Sequence, residues 1–101
     1  MNIFMVNDSL RLLGQYSTTY KAFNNYSSAK KYVLERVEGY KKYKYFFNKE
    51  GNTKPYIKHF WAEQNAVTAS SNAIVYSVDI YEEEAYDFNS ISIEIIKLEV
   101  E

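Results

Sequence analysis

The chain has 101 residues, of which 47% are hydrophobic and 25% are charged, a composition typical of globular domains and not of disordered chains. The length suits one hydrophobic core, so we expect a single domain over residues 1–101. The lack of cysteine excludes disulfides, thiolate nucleophiles and sulfur-ligated zinc. No stretch has the length of a signal peptide or a membrane span, which predicts a cytoplasmic protein outside the membrane.

The net charge of −1 hides a division along the chain. Residues 1–60 carry eleven cationic side chains against four carboxylates, a net of +7, whereas residues 61–101 carry one against nine, a net of −8. Such asymmetry points to charged partners. A reading without any partner is that basic and acidic strands pair with each other in one sheet, where opposite charges across strands attract.

The first elements are predicted to be strands. An apolar run at residues 2–6, turn residues at 7–9 and a second apolar pattern at 10–15 predict an N-terminal hairpin. The β-prone residues 16–23 continue the strand character, with a short helix from Thr18 as the alternative.

The main helix is predicted over residues 26–38. Asn25 is a favourable N-cap, and Gly39 is a plausible end signal. Five residues at helical spacing form one face of this helix: Tyr26, Ala29, Val33, Val37 and Tyr40.

The rest of the chain is predicted to be mainly strands. Residues 42–47 and 56–62 suggest a second hairpin, and residues 73–81 and 91–100 are the clearest strands. The segment 63–72 fits either a short helix or an irregular connection. In the last strand the alternation shifts near Ile95 and Ile96, which predicts a β-bulge or burial of both faces there. The fold class is therefore α+β: one antiparallel sheet of about five or six strands, built from hairpins, packed against one main helix.

The sequence lacks the residues that most catalytic and metal-binding sites require. His59 is the single histidine, so a two-histidine metal site is excluded. The glycines at 14, 39 and 51 are too scattered for a phosphate-binding loop, and the acidic residues after position 81 lack the spacing of a calcium-binding loop. We expect a non-catalytic protein without metal or cofactor; an enzyme site assembled from Tyr, Glu and Lys in a pocket is the remaining alternative.

The acidic half provides the leading functional hypothesis. Carboxylates interrupted by aromatic rings can imitate the charge of a nucleic acid and occupy the groove of an enzyme that acts on one. The hypothesis is a phage or mobile-element accessory protein that inhibits a host CRISPR or restriction nuclease. Its contact residues would be Tyr81, Glu82, Glu83, Glu84, Tyr86, Asp87 and Phe88.

The basic half provides the alternative, a small domain that binds single-stranded nucleic acid through residues 40–61. Lysines neutralise phosphates and aromatic rings stack on unpaired bases. The residues in question are Lys41, Lys42, Tyr43, Lys44, Tyr45, Lys54, Lys58 and Trp61. For both hypotheses the competing explanation is structural: the aromatic rings face the core and the charged side chains face water. A homodimer is also compatible with the sequence.

Overall fold

The computed structural model describes residues 1–12, 15–40, 57–82 and 90–100. Within these ranges the chain forms five strands and one α-helix. The elements are β1 (Asn2–Leu12), β2 (Gln15–Phe23), α1 (Tyr26–Tyr40), β3 (Ile57–Glu63), β4 (Ile74–Glu82) and β5 (Ser90–Glu99). All strand pairs are antiparallel, and the α+β prediction of one antiparallel sheet packed against one helix is confirmed.

The sheet has the strand order β2-β1-β5-β4-β3. The last strand lies in the middle, paired with β1 from Asn2↔Glu99 to Arg11↔Ser90. Its isoleucines at 91, 93 and 95 are completely or almost completely buried, because this strand has neighbours on both sides and α1 above it. The core therefore depends on contacts between the two ends of the chain.

The predicted turn at residues 7–9 is wrong. Strand β1 runs through these residues without interruption, and its hairpin with β2 pairs from Phe4↔Phe23 to Leu12↔Gln15. Asp8, whose turn propensity suggested a break, is 2% exposed. Its carboxylate receives hydrogen bonds from α1, and this tertiary pairing outweighs the local preference. The strand prediction for residues 16–23 is confirmed, and the alternative helix from Thr18 is wrong.

Helix α1 begins as predicted. The Ser28 N–H donates to the Asn25 side-chain oxygen at 2.8 Å, which is the N-cap hydrogen bond. The predicted face is also confirmed: Ala29, Val33 and Tyr40 are buried, and Tyr26 and Val37 pack against the core. The expected end at Gly39 is wrong, since the helix continues to Tyr40, whose buried hydroxyl is bonded to Asp8.

One face of the sheet packs under α1 and holds the core. Its buried members on the strands are Phe4, Val6, Tyr76, Val78, Ile80, Ile91, Ile93 and Ile95. The opposite face is covered by no element in the described part of the chain, and we call it the open face. It presents alternate residues of β1, β4 and β5, including Asn7, Ser9, Ser77, Asp79, Ser92 and Glu94.

The irregularity predicted near Ile95 and Ile96 occurs in the ladder, but the extra residue belongs to β4. The register shifts between Ile74↔Ile96 and Tyr76↔Ile95, which leaves Val75 as the additional residue. Strand β5 keeps its alternation, with Lys97 buried. The first alternative, a bulge within β5 itself, is therefore wrong. For the second alternative, burial of both faces, the side chains of Ile96 and Leu98 on the open face are half-buried, while Ile95 and Lys97 on the core face are buried.

Lys97 holds the connection between β3 and β4. Its ammonium donates to the carbonyl oxygens of Ala66 at 2.8 Å, Val67 at 3.2 Å and Ala69 at 3.0 Å. The segment 64–73 is an irregular pair of turns, as one of the two predicted alternatives states, and not a helix. Its last turn places Asn72 at φ 68°, a left-handed conformation that Asn tolerates better than most residues.

We expect Lys97→Met to destabilise the fold. The substitution keeps the length of the side chain but leaves three carbonyl groups without their shared donor, and unsatisfied buried polar groups cost roughly 1–3 kcal/mol. The free energy of unfolding in urea measures this loss. Lys31→Met, at an exposed position of α1, is the matched control and should change stability by less than about 0.5 kcal/mol. Equal stabilities of the two variants would contradict a structural role for Lys97.

Candidate interaction surface

The most buried polar group in the described structure joins β1 to α1. The Asp8 carboxylate accepts a hydrogen bond from Arg36 Nε at 2.7 Å on one oxygen and from the Tyr40 hydroxyl at 2.9 Å on the other. Arg36 also donates from a second guanidinium nitrogen to the Tyr40 hydroxyl at 2.7 Å. Each carboxylate oxygen thus accepts a hydrogen bond from α1, and the Asp8 side chain is almost completely removed from solvent.

The pKa shifts in this cluster fit a structural role. Burial, followed by the hydrogen bond to Asp8, raises the pKa of Tyr40 from 10.0 to about 12. Burial disfavours the charge on Arg36, but the hydrogen bond and the negative charge of Asp8 outweigh it and raise the pKa of Arg36. Tyr40 therefore stays a neutral donor and Arg36 a cation at physiological pH.

A second cluster ties the start of α1 to the end of β3. Lys30 Nζ lies 2.8 Å from a Glu63 carboxylate oxygen, and the Tyr26 hydroxyl donates to the same oxygen. Hydrogen bonds from Lys30 and then from Tyr26 lower the pKa of Glu63. Burial, and next the hydrogen bond to Glu63, raises the pKa of Tyr26. These charges, too, are neutralised within the protein.

An open groove of about 770 Å³ follows the outer side of α1. Leu34 provides its apolar floor and is 46% exposed, while lysine and glutamate side chains form the rims. The described lining residues are Tyr26, Ser27, Lys30, Lys31, Leu34, Glu35, Glu38 and Gly39. This described lining contains no histidine.

Metal and membrane sites are not found in the described ranges. These residues contain no group of three or more His, Asp or Glu side chains close enough to hold a metal ion. His59 lies on β3 opposite Ile80 of β4, within a strand pair. In the same part of the chain, no helix has the length and apolar character needed to cross a bilayer.

The topology mixes the two oppositely charged halves of the chain. Strands β4 and β5 come from the acidic half and lie between β1 and β3, which come mainly from the basic half. Both described ion pairs, Lys30–Glu63 and Arg36–Asp8, connect separate elements. Each of these pairs joins a cation of α1 to a strand, so neither is the predicted attraction between a basic and an acidic strand.

The predicted acidic surface is described only at its first two positions. Tyr81 and Glu82 are the last residues of β4 and pair with Lys58 and Ile57 of β3. The other predicted contact residues lie outside the described residues: Glu83, Glu84, Tyr86, Asp87 and Phe88. The register places Lys58 directly across from Tyr81.

The predicted nucleic-acid surface is also described in part. Lys58 and Trp61 belong to β3, an outer strand of the described sheet, and Trp61 is 71% exposed. The other members lie outside the described residues: Lys41, Lys42, Tyr43, Lys44, Tyr45 and Lys54.

The open face holds a pair of carboxylates that sequence reasoning missed. Asp79 pairs with Ser92, and Glu94 pairs with Ser77 on the same two strands. The two acidic residues are therefore diagonal neighbours, roughly 7–8 Å apart in such a ladder and slightly closer at their β-carbons. Neither has a hydrogen-bond or ion-pair partner among the described residues. The alternation of each strand indicates which residues face away from the core, but it does not reveal that Asp79 and Glu94 are neighbours.

Comparisons with known proteins identify no relative of this chain. No protein-family model matches the chain, and no curated protein or solved structure matches it. The functional argument therefore rests on the geometry of these surfaces.

The Asp8 cluster predicts a loss of stability at high pH. Because the pKa of Tyr40 rises from 10.0 in the unfolded chain to about 12 in the fold, its contribution is complete below pH 10 and is lost as the pH rises through 12. We expect the difference in unfolding free energy between the wild type and Tyr40→Phe to shrink by roughly 1–2 kcal/mol across this window.

Urea unfolding at a series of pH values measures this difference. Tyr20→Phe is the control, since the Tyr20 side chain is 68% exposed and lies on β2 across from Asn7, on the opposite face of the sheet from the Asp8 cluster. A constant difference between the wild type and Tyr40→Phe from neutral to alkaline pH would contradict the proposed coupling.

Proposed function

We propose that this chain is a non-catalytic protein-interaction module whose open face binds a basic surface on another protein. The observation that carries the proposal is the carboxylate pair Asp79 and Glu94 on this face. Elsewhere in the described structure, the carboxylates of Asp8 and Glu63 are neutralised by cations of α1. Asp79 and Glu94 are not, and they remain half-accessible.

The surroundings of the pair favour contact with a large, flat partner. Across the ladder lie Ser77 and Ser92, and on β1 the open face continues through Asn7 and Ser9. On the β5 and β1 sides, therefore, only short side chains flank the carboxylates, and both carboxylates are partly accessible. Arginine and lysine on a partner provide the opposite charge, and complementary charge favours fast and selective association.

For the partner, we propose an enzyme that acts on nucleic acid. The grooves of such enzymes are lined with cations that attract regularly spaced negative charge. In the sequence, β4 ends at Glu82 and is followed by Glu83, Glu84 and Asp87, so this part of the chain carries four further carboxylates. The biological form of the proposal is an accessory protein of a phage or mobile element that inhibits a CRISPR or restriction nuclease in the host cytoplasm.

The arrangement of the titratable groups supports binding over catalysis. Catalytic acids and bases need free lone pairs or protons at a concave site. In the described structure Asp8 is buried with one donor on each carboxylate oxygen, and Lys97 donates to three carbonyl groups. One carboxylate oxygen of Glu63 is held by Lys30 and Tyr26. Asp79 and Glu94, by contrast, lie on a sheet face, which suits recognition of a surface.

Neutralising the pair tests the proposal. We expect the double variant Asp79→Asn/Glu94→Gln to lose partner affinity by about tenfold or more, because it removes two complementary charges at the contact. The tagged protein is incubated with nuclease-treated lysate of the host, and captured proteins are identified by mass spectrometry and then titrated. Added duplex DNA should displace the captured enzyme, since both compete for one groove.

The matched control is Glu35→Lys, which makes the same change of two charge units at an exposed position on the outer side of α1. It should retain full affinity. Capture that is insensitive to both the double variant and competitor DNA would contradict the proposal.

A second candidate, binding of single-stranded nucleic acid, is favoured by one observation. Trp61 is 71% exposed on an outer strand of the described sheet, and large exposed rings can stack on unpaired bases. Lys58 belongs to the same strand.

Trp61 is the single tryptophan of the chain, so its fluorescence reports stacking directly. If this candidate is correct, an oligothymidine should quench the emission, and the affinity should fall steeply as salt rises. Tyr16→Phe, on the opposite outer strand, is the control and should leave quenching unchanged. Unaltered emission at low salt with excess oligonucleotide would remove this candidate.

A further inference from the structure

The outer edge of β2 is the longest uncovered pairing surface in the described sheet. Strand β2 is the first strand in the order, and among the described strands only β1 pairs with it. Eight of its nine residues are exposed, including Tyr16 at 74% and Tyr20 at 68%. An edge strand presents unpaired N–H and C=O groups that can pair with another strand.

The devices that usually protect such an edge are missing from β2. The strand contains no proline and no glycine, and its register with β1 is continuous from Phe4↔Phe23 to Leu12↔Gln15, without a bulge. Its single charge, Lys21, is directed toward its own helix, with Nζ 4.8 Å from the centroid of the Tyr32 ring. Lys21 therefore does not guard the edge by repulsion.

The sequence of β2 is complementary to itself. About Thr18 as a centre, an antiparallel copy places Tyr16 opposite Tyr20, Ser17 opposite Thr19, and Gln15 opposite Lys21. Aromatic pairs and hydroxyl pairs stabilise antiparallel strands, and this register brings no like charges together. Tyr16 is already held in place, with the Arg11 guanidinium 5.3 Å from its ring centroid.

We propose that two copies of this chain associate through antiparallel pairing of their β2 strands, with the two-fold axis passing beside Thr18. The other outer strand, β3, is a poorer candidate because it carries Lys58, His59 and Glu63. Pairing at β2 is isologous and closes after two copies. A two-fold axis perpendicular to the sheet keeps both helices on one side and joins both open faces into one surface of twice the width.

The predicted dimer is reversible. A single added strand pair buries less area than a standard stable interface, so we expect dissociation in the micromolar range or weaker. This inference does not depend on the proposed partner, because the β2 edge does not include Asp79 or Glu94.

Charge substitution at the two-fold axis tests both the dimer and its register. Thr18 faces Thr18 of the second copy, so Thr18→Lys and Thr18→Glu each place like charges together. Each variant should weaken dimerisation by up to about fivefold, measured by sedimentation velocity over a concentration series. Mixing the two variants should restore association and favour the heterodimer, which native mass spectrometry detects when one variant is nitrogen-15-labelled.

The matched control is the pair Gln15→Lys and Gln15→Glu. In the proposed register Gln15 faces Lys21 of the second copy and lies far from its own symmetry mate, so mixing this pair should give no preference for the heterodimer. Circular dichroism verifies that all four variants are folded. A wild-type protein that stays monomeric at millimolar concentration, an extended peptide that pairs with β2 of a monomer, or selective mixing at position 15 instead of 18 would each overturn the inference.

Discussion

The carboxylate of Asp8 decides how the helix sits on the sheet. A carboxylate that is 2% exposed needs donors on both oxygens, and here both come from α1, at Arg36 and Tyr40. These two residues are four apart and therefore share one side of the helix. The rotation of α1 that satisfies Asp8 is also the one that buries Ala29 and Val33. The hydrogen bonds of Asp8 and the burial of apolar side chains therefore favour the same packing of α1. Such agreement between independent requirements helps a sequence to specify one fold.

Placing α1 over one face leaves the other to interact with solvent or partners. The helix-side polar groups are consumed by internal contacts, with Lys97 holding three carbonyl groups and Glu63 paired to Lys30. The strand order also brings β4 and β5, from the acidic half of the sequence, between β1 and β3. The open face carries two carboxylates, Asp79 and Glu94, that have no partner among the described residues.

The two proposed surfaces of the module are separate and compatible. The carboxylates lie on β4 and β5, whereas the proposed dimer uses β2, on the far side of β1. A dimer through β2 would place two acidic pairs on one continuous face, and a partner with two binding sites would then gain affinity through avidity.

The sequence by itself determined the elements whose signals are local. The Asn25 cap and the spacing from Tyr26 to Tyr40 predicted α1, and alternation predicted β4 and β5, because helix and strand periodicities are properties of neighbouring residues. Only the tertiary structure decided that Asp8 continues a strand, that Lys97 is buried and that Asp79 and Glu94 are neighbours. Asp8 resembles a turn residue until donors arrive from 28 and 32 positions away. A pairing across that distance leaves no periodic trace in the chain, so neither the buried network nor the open-face carboxylate pair could be read before the strands were placed side by side.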